Sequence, residues 1–204
     1  MKHYNVRGRL IDRTISVIAS EGLDKTTTKA IVKDTDIPEA YIYQYFSSKD
    51  ELFAEAFEKL DEELFSRAEL NIPIMYTAEL DCEMQCRTYF SAMWRFMLDN
   101  RERCITFIRY YYSPYFEKYS SLQHKERYLP LVEEFSKAFV DEANVWMLLN
   151  HILNVMLDFA VKVFYGAVGD NEDTAEHVFR LVYYSIRPYF MQREVGERVN
   201  AQMA

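Results

Sequence analysis

The sequence predicts an all-α protein of about nine helices, an N-terminal three-helix helix-turn-helix head followed by a larger helical body. Three observations carry that expectation. Glycine and proline number only 5 each in 204 residues, against a usual share near 12%, which leaves too few turn residues for a many-stranded sandwich or barrel. Apolar residues recur at three- and four-residue spacing through most of the chain. Caps and breakers stand where those stripes begin and end. With 50% apolar and 27% charged residues, the chain is neither disordered nor fibrous.

Taken in order, Leu10, Ile11, Thr14, Ile15, Ile18 and Ala19 form one helical stripe that Gly22 is placed to end. Thr26-Thr27-Thr28 offers cap hydroxyls for a short second helix with Ala30, Ile31 and Val32. Asp36-Ile37-Pro38-Glu39 is a turn and a new start, since proline suits a first turn and an acid suits the positive end of the helix dipole. A third helix runs through Ala40 to Phe46. Ser47-Ser48-Lys49-Asp50 opens a long fourth, with Leu52, Phe53, Phe57, Leu60, Leu64 and Phe65 as its buried stripe. Further helices are expected over about 78–98 and 101–112, and from Ser113-Pro114 to near Ser120. Pro130 is expected to open the next helix and Asp141 to cap a long one reaching about 166. Asp170 is expected to cap the last, about 172–192, with Pro188 kinking or fraying its end.

No stretch reaches the roughly 18 uninterrupted apolar residues of a membrane span. The nearest, Val145 to Gly166, carries Asn150, His151, Asn154, Asp158 and Lys162. Met1-Lys2-His3-Tyr4-Asn5 leads into Arg7-Gly8-Arg9 without an apolar signal core. The 3 cysteines make no disulfide framework. A soluble protein of the reducing cytoplasm is expected, with no membrane partner. The net charge of −8 argues at first against a nucleic-acid partner. Residues 1–50, however, hold 8 Lys/Arg against 7 Asp/Glu, a net of +1, which leaves −9 for residues 51–204. A basic face on a small head still binds phosphates, because counterion release depends on local contacts.

Two short helices, the second started by proline, form a helix-turn-helix arrangement whose second member enters the major groove. On that reading the third helix presents Glu39, Ala40, Tyr41, Gln44 and Tyr45. Glu39 accepts from cytosine N4, Gln44 pairs with adenine and Ala40 meets a thymine methyl. Tyr43 and Tyr45 carry hydroxyls for phosphate. Thr27, Thr28 and Lys29 form an anion site at a helix start, and Lys49 grips a neighbouring phosphate. The plainer alternative is a buried amphipathic segment, with Ile42 and Phe46 as core.

The run Gly22-x4-Thr27-x3-Ile31, then Ile37-Pro38, then Ile42-Tyr43-Gln44-Tyr45-Phe46-Ser47-Ser48-Lys49-Asp50-Glu51-Leu52 resembles the N-terminal signature of the TetR/AcrR family of repressors. The resemblance covers about residues 7–55. It implies a homodimer of all-helical subunits, each with a DNA-binding domain over 1–48 and an effector-binding and dimerisation domain over 49–204. The interface it implies lies on the last two long helices. Thr28, Lys29, Tyr43, Tyr45 and Lys49 match phosphate-contacting positions, and Glu39, Ala40, Tyr41 and Gln44 match positions facing bases or sugar edges. Three residues depart from the pattern: Asp36 replaces the turn glycine, Val32 a small residue, and Tyr41 a threonine. Asp36 tolerates the left-handed conformation better than most non-glycines.

The body is rich in rings, with aromatics at 16% of the chain. The 141–166 helix is apolar nearly all round, as for a helix buried on two sides. Asn150, Asn154 and Asp158 break that pattern every four residues, with His151 and Lys162 alongside. They pair across a twofold axis, bond a ligand or reach solvent at the rim. For a ligand, Asp158 favours a cationic or donor compound, with Trp94, Phe107, Tyr111, Tyr115 and Trp146 supplying rings; ordinary packing is the plainer role for these rings. Cys82 and Cys86 share one helix face and Cys104 follows, yet the scattered histidines 3, 124, 151 and 177 complete no metal site. Buried cysteines and no metal are expected. No phosphate loop, nucleophile elbow or zinc-histidine pair points to an enzyme or a cofactor. The sequence thus points to a cytoplasmic dimeric regulator, a repressor in function class, that binds palindromic operator DNA and is released by a small lipophilic or aromatic effector. The rival reading is a helical carrier of a lipophilic compound that does not bind DNA.

Overall fold

A computed structural model describes residues 5–191. His3 and the last residue of the expected final helix, Gln192, lie outside them. The described residues form ten α-helices and three short 3-10 turns, with no strand beyond one isolated antiparallel bridge between Phe139 and Phe190.

The head is built from helices too short to stand alone. Helix α1 spans Val6–Glu21; the Asn5 side chain caps it by accepting from Gly8 N at 2.9 Å. It ends at Gly22, whose φ of +89° lies in the region that favours glycine. Helix α2 is Thr28–Val32, capped by Thr27, which accepts from Ala30 N at 3.1 Å. In the following turn the left-handed residue is Asp34, φ +59°, and not Asp36 as the sequence suggests. Asp36 instead pairs with Arg9 of α1, and that hydrogen bond lowers its carboxyl pKa below the usual value. The third helix is also shorter than expected: a 3-10 turn Glu39–Tyr41 runs into α3, Ile42–Tyr45.

Helix α4, Lys49–Asn71, leaves the head and runs the length of the body. Its start is a capping box: Ser48 Oγ accepts from Glu51 N at 3.1 Å, and the Glu51 carboxylate accepts from Ser47 N. A 3-10 turn at Ile72–Tyr76 precedes α5 (Cys82–Asp99), α6 (Arg101–Tyr111) and α7 (Pro114–Tyr119). The next helix, α8, is Ser121–Ser136, so Pro130 lies inside it and does not open it. The first half, Ser121 to Tyr128, hides from an apolar-periodicity reading because His124, Arg127 and Tyr128 carry its contacts with α4 and the ring cluster. Helix α9 is Val145–Phe164, capped by Asn144 instead of Asp141, and α10 is Glu172–Ile186, capped by Asn171 instead of Asp170. In both cases the amide immediately before the helix is in reach of the third backbone N–H, and the earlier aspartate is not. Pro188 sits in a closing 3-10 turn, Arg187–Tyr189, beyond the end of α10.

One hydrophobic core runs from the head into the body. Leu10, Ile15, Ile18, Ile31, Ile42 and Phe46 are buried together with Phe53 and Phe57 of α4. Helix α6 fastens the head from the other side. Thr106 Oγ1 donates to Ile15 O at 2.7 Å, and Arg109 donates to Ala19 O at 3.0 Å, placing a cation at the negative end of the α1 dipole. By contrast α9 buries only Val145, Met156, Leu157 and Ala160, far fewer than a helix enclosed on two sides. By length and composition it is the one helix among the described residues that is apolar enough to cross a membrane, its polar residues notwithstanding. It packs on α5, α6, α8 and α10, and its outer face remains uncovered in a single chain.

Candidate nucleic-acid interface and effector cavity

The probe of the head is a pair of turns pinned from below. Ile42 and Phe46 are buried, while Ala40, Tyr41, Tyr43, Gln44 and Tyr45 are exposed, Tyr43 the most so of the tyrosines at 60%. The four-residue spacing of the two anchors turns the intervening side chains outward, which is the geometry a groove-reading segment needs. Thr27 and Lys29 are exposed at the start of α2, and Thr28 is half-buried. The Thr28 hydroxyl donates to the Glu39 carboxylate, which binds α2 to the 3-10 turn. Glu39 is thereby committed within the head rather than standing free. Lys49 is partly buried, with its ammonium 3.4 Å from Thr26 O and 5.1 Å from the Phe53 ring centroid. The ten side chains named from the sequence thus fall on one end of the molecule, but Glu39, Thr28 and Lys49 already have partners there.

The body encloses an apolar cavity of about 130 Å³ among α4, α5, α8, α9 and α10. Of the residues named for an effector, Trp146 and Asn150 are on its wall. The others are not. Phe107, Tyr111 and Tyr115 belong to a ring cluster between α4, α6 and α7: Phe57 stacks on Tyr110 at 4.7 Å and meets Phe107 at 5.1 Å, and Tyr111 meets Phe116 at 4.5 Å. Trp94 stacks on Phe90 at 5.9 Å. The Asn–Asn–Asp stripe divides by position along α9. Asn150 Oδ1 accepts from Tyr111 at 3.2 Å, Asn154 Oδ1 accepts from Tyr112 at 3.0 Å, and Asp158 is exposed and pairs with Lys162 at 2.6 Å. Asp158 therefore offers no charge to the cavity, and the basis for a cationic ligand is removed.

The sequence reading missed the polar end of the cavity. Asp61, fully buried on α4, accepts from His124 Nδ1 at 2.8 Å and from Arg127 at 2.5 Å. His124 and Tyr128 line the cavity. The Tyr128 hydroxyl is buried beside the same carboxylate without a hydrogen bond of good geometry, and burial drives its pKa well above the usual phenol value. The available signal was Asp61 itself, an acid set between Leu60 and Leu64 in an apolar stripe. A charge there requires partners.

The cysteines depart from the expectation of burial. Cys82 is exposed, Cys86 half-buried and Cys104 buried, because α5 turns its first residues toward solvent. The bond with Cys82 and burial push the Cys86 thiol pKa far up, and burial alone takes Cys104 to about 12. No group of three or more His, Cys, Asp or Glu among the described residues is placed to hold a metal ion.

Residues 10–56 match the family of bacterial regulatory proteins, tetR family. A curated relative, the nucleoid occlusion factor SlmA of Mannheimia succiniciproducens, is 33% identical over 54 residues, 26% of this chain and 25% of that protein. The chain thus matches about a quarter of the length of that relative. Solved structures share the fold over nearly the whole chain. A TetR family transcription regulator from Marinobacter aquaeolei superposes with a TM-score of 0.70 at 15% identity, covering 87% of this chain and 93% of that one. A TetR-family regulator from Haemophilus influenzae gives 0.64 at 17% identity, covering 91% and 96%. A multidrug binding protein, EbrR, in complex with imidazole gives 0.58 at 15% identity, covering 86% and 93%. Residues 10–56 thus match the head of the tetR family of bacterial regulatory proteins, and the chain shares the all-α fold of those solved regulators.

Proposed function

We propose that this protein is a cytoplasmic transcriptional repressor that binds a palindromic operator as a homodimer and releases it when a small apolar molecule enters the body cavity. The observation that carries this reading is the outward face of Ala40, Tyr41, Tyr43, Gln44 and Tyr45 over the buried anchors Ile42 and Phe46. Thr27, Thr28, Lys29 and Lys49 would meet the flanking phosphates, and Glu39 would act from its bond with Thr28. The division of labour is a DNA-binding unit over 1–48 and a sensing and pairing unit over 49–204.

The outer faces of α9 and α10 support pairing: Met147 is 66% exposed, Leu181 53% and Tyr184 52%. Leaving such side chains in water forgoes about 25 cal/mol per Å² of apolar surface. Helix α4 supports the coupling, because one end carries the head and the middle holds Asp61 against a cavity-wall histidine. Release needs an effector that prefers one head spacing over the other; a coupling of about 1–3 kcal/mol is typical.

Electrophoretic retardation on DNA flanking the gene tests the reading. Wild-type protein is expected to retard a fragment containing an inverted repeat, less so as salt rises. Tyr43→Ala with Gln44→Ala is expected to weaken retardation by about tenfold or more, with helicity unchanged. Leu181→Asp is expected to yield monomers in sedimentation. No retardation of any fragment, with cavity binding intact, would leave a carrier of lipophilic compounds in place of a regulator.

A further inference from the structure

The cavity wall contains no Asp, Glu, Lys or Arg, and its one imidazole is His124. His124 is only 4% exposed and Asp61 is fully buried. A carboxylate only accepts hydrogen bonds, so the 2.8 Å contact fixes the histidine proton on Nδ1. Arg127 shares the Asp61 carboxylate with the ring and has Glu58 at 3.5 Å as a second partner. With the proton on Nδ1, Nε2 of the imidazole form is a lone-pair acceptor, and it takes no hydrogen bond from the described residues. Around it stand Tyr128 at 4.6 Å, Phe116 at 5.4 Å, Tyr111 at 5.5 Å and Trp146 at 6.0 Å between ring centroids.

We propose that the cavity takes an uncharged aromatic molecule of one or two rings bearing a single hydrogen-bond donor, a phenol or an aryl N–H, which donates to His124 Nε2. This rests on the reading of the cavity as the effector site and names the chemistry it selects. The volume of about 130 Å³ is close to the roughly 150 Å³ of a dry apolar cavity that holds benzene. Met75, Met93, Met97 and Met156 on the wall adapt to a second ring. An ammonium or carboxylate would lose its water and find no opposite charge, which selects against both. Of the unmet polar groups on the wall, His124 Nε2 asks for a donor and the Tyr128 hydroxyl beside it for an acceptor, and the surrounding rings ask for an aromatic body.

Titration calorimetry on the full-length protein tests this with p-cresol, p-xylene, p-toluate and p-methylbenzylammonium. Wild-type protein is expected to bind the first two and to bind each ion at least about tenfold more weakly than p-cresol. His124→Phe is expected to weaken p-cresol about fivefold or more by leaving its hydroxyl unpaired, and p-xylene by less than about twofold. Met93→Trp, which fills the cavity, is expected to abolish both. Binding of either ion as tight as p-cresol, equal effects of His124→Phe on both neutral probes, or p-cresol binding unchanged in Met93→Trp would each overturn the proposal. Should His124→Phe not fold, wild-type protein with p-methylanisole, a similar ring without the donor, decides. It is expected to bind about fivefold or more weakly than p-cresol, and equal affinity overturns the assignment. Operator retardation is followed in parallel. Probes that bind as expected but never alter retardation remove the regulator reading alone, while retardation with no probe bound removes the cavity assignment alone.

Discussion

Asp61→Asn is the most informative single change to the stability of the body. The carboxylate is fully buried and accepts from His124 at 2.8 Å and Arg127 at 2.5 Å. Hydrogen bonds to charged groups contribute about 1.5–3 kcal/mol each, and a neutral one about 1 kcal/mol. Asparagine retains one acceptor oxygen, which stays with Arg127 as a weaker bond, and turns its amide N–H toward His124. Breaking a buried ion pair from one side costs about 3–5 kcal/mol. Arg127 keeps Glu58 at 3.5 Å as a second partner and is 16% exposed, so the loss should fall near the low end of that range, about 3 kcal/mol. For a chain of this size that corresponds to a fall in melting temperature of about 6–12 °C. Urea titration and thermal unfolding at fixed protein concentration measure both. The variant should also place the imidazole proton on Nε2, because the new amide N–H needs Nδ1 as an acceptor, and so reverse the preference of the cavity from phenols to carbonyl compounds. A loss under about 1 kcal/mol, or a stabilised protein, would refute the view that Asp61 is held by two charge-assisted bonds in a dry site.

Other consequences are checked more simply. Pro130→Ala should raise stability by about 1–3 kcal/mol in urea titration, since proline inside a helix removes one backbone bond; a neutral or negative effect would mean that the helix starts at Pro130. Thiol labelling at pH 8 should modify Cys82 promptly and Cys104, whose pKa lies near 12, only on unfolding; mass spectrometry of the labelled peptides reads the order. Asp36 has its pKa lowered below 3.8 by Arg9, so its pairing stabilises the fold above that pH and is lost as pH falls through the folded-state value. The melting-temperature gap between wild type and Asp36→Asn should accordingly be present at pH 7 and close in strong acid.

Much of the architecture was legible because local signals were strong. Gly22, Thr27 and Ser48 act at the positions their chemistry suggests, and the apolar stripes of α1 and α4 are the core. The misreadings share a cause, which is that tertiary contacts outranked local propensity. Pro130 looks like a helix start only while the polar run before it is taken as loop. That run is helical because His124 and Arg127 find Asp61, sixty and more residues earlier in the chain. Asp141 and Asp170 are good caps by type, but Asn144 and Asn171 stand one position before the actual helices. The ring-rich character of the body was plain, whereas the division of those rings between solid packing and cavity wall depends on helix rotation. Sequence spacing does not encode that rotation for Trp94, Phe107, Tyr111 and Tyr115.

A last consequence concerns the brevity of the third helix. A single α-turn behind a 3-10 turn is far below the length at which a helix sustains itself in water. Its form is imposed by what lies beneath, so the exposed tyrosines inherit the rigidity of α1 and α4. Amide exchange at Tyr45 and Phe46 should accordingly track that of the α1 interior rather than fray early. Any softening of the α1–α4 contact would blur the whole edge at once, and sharpness of discrimination between operators would become a property of the core beneath it.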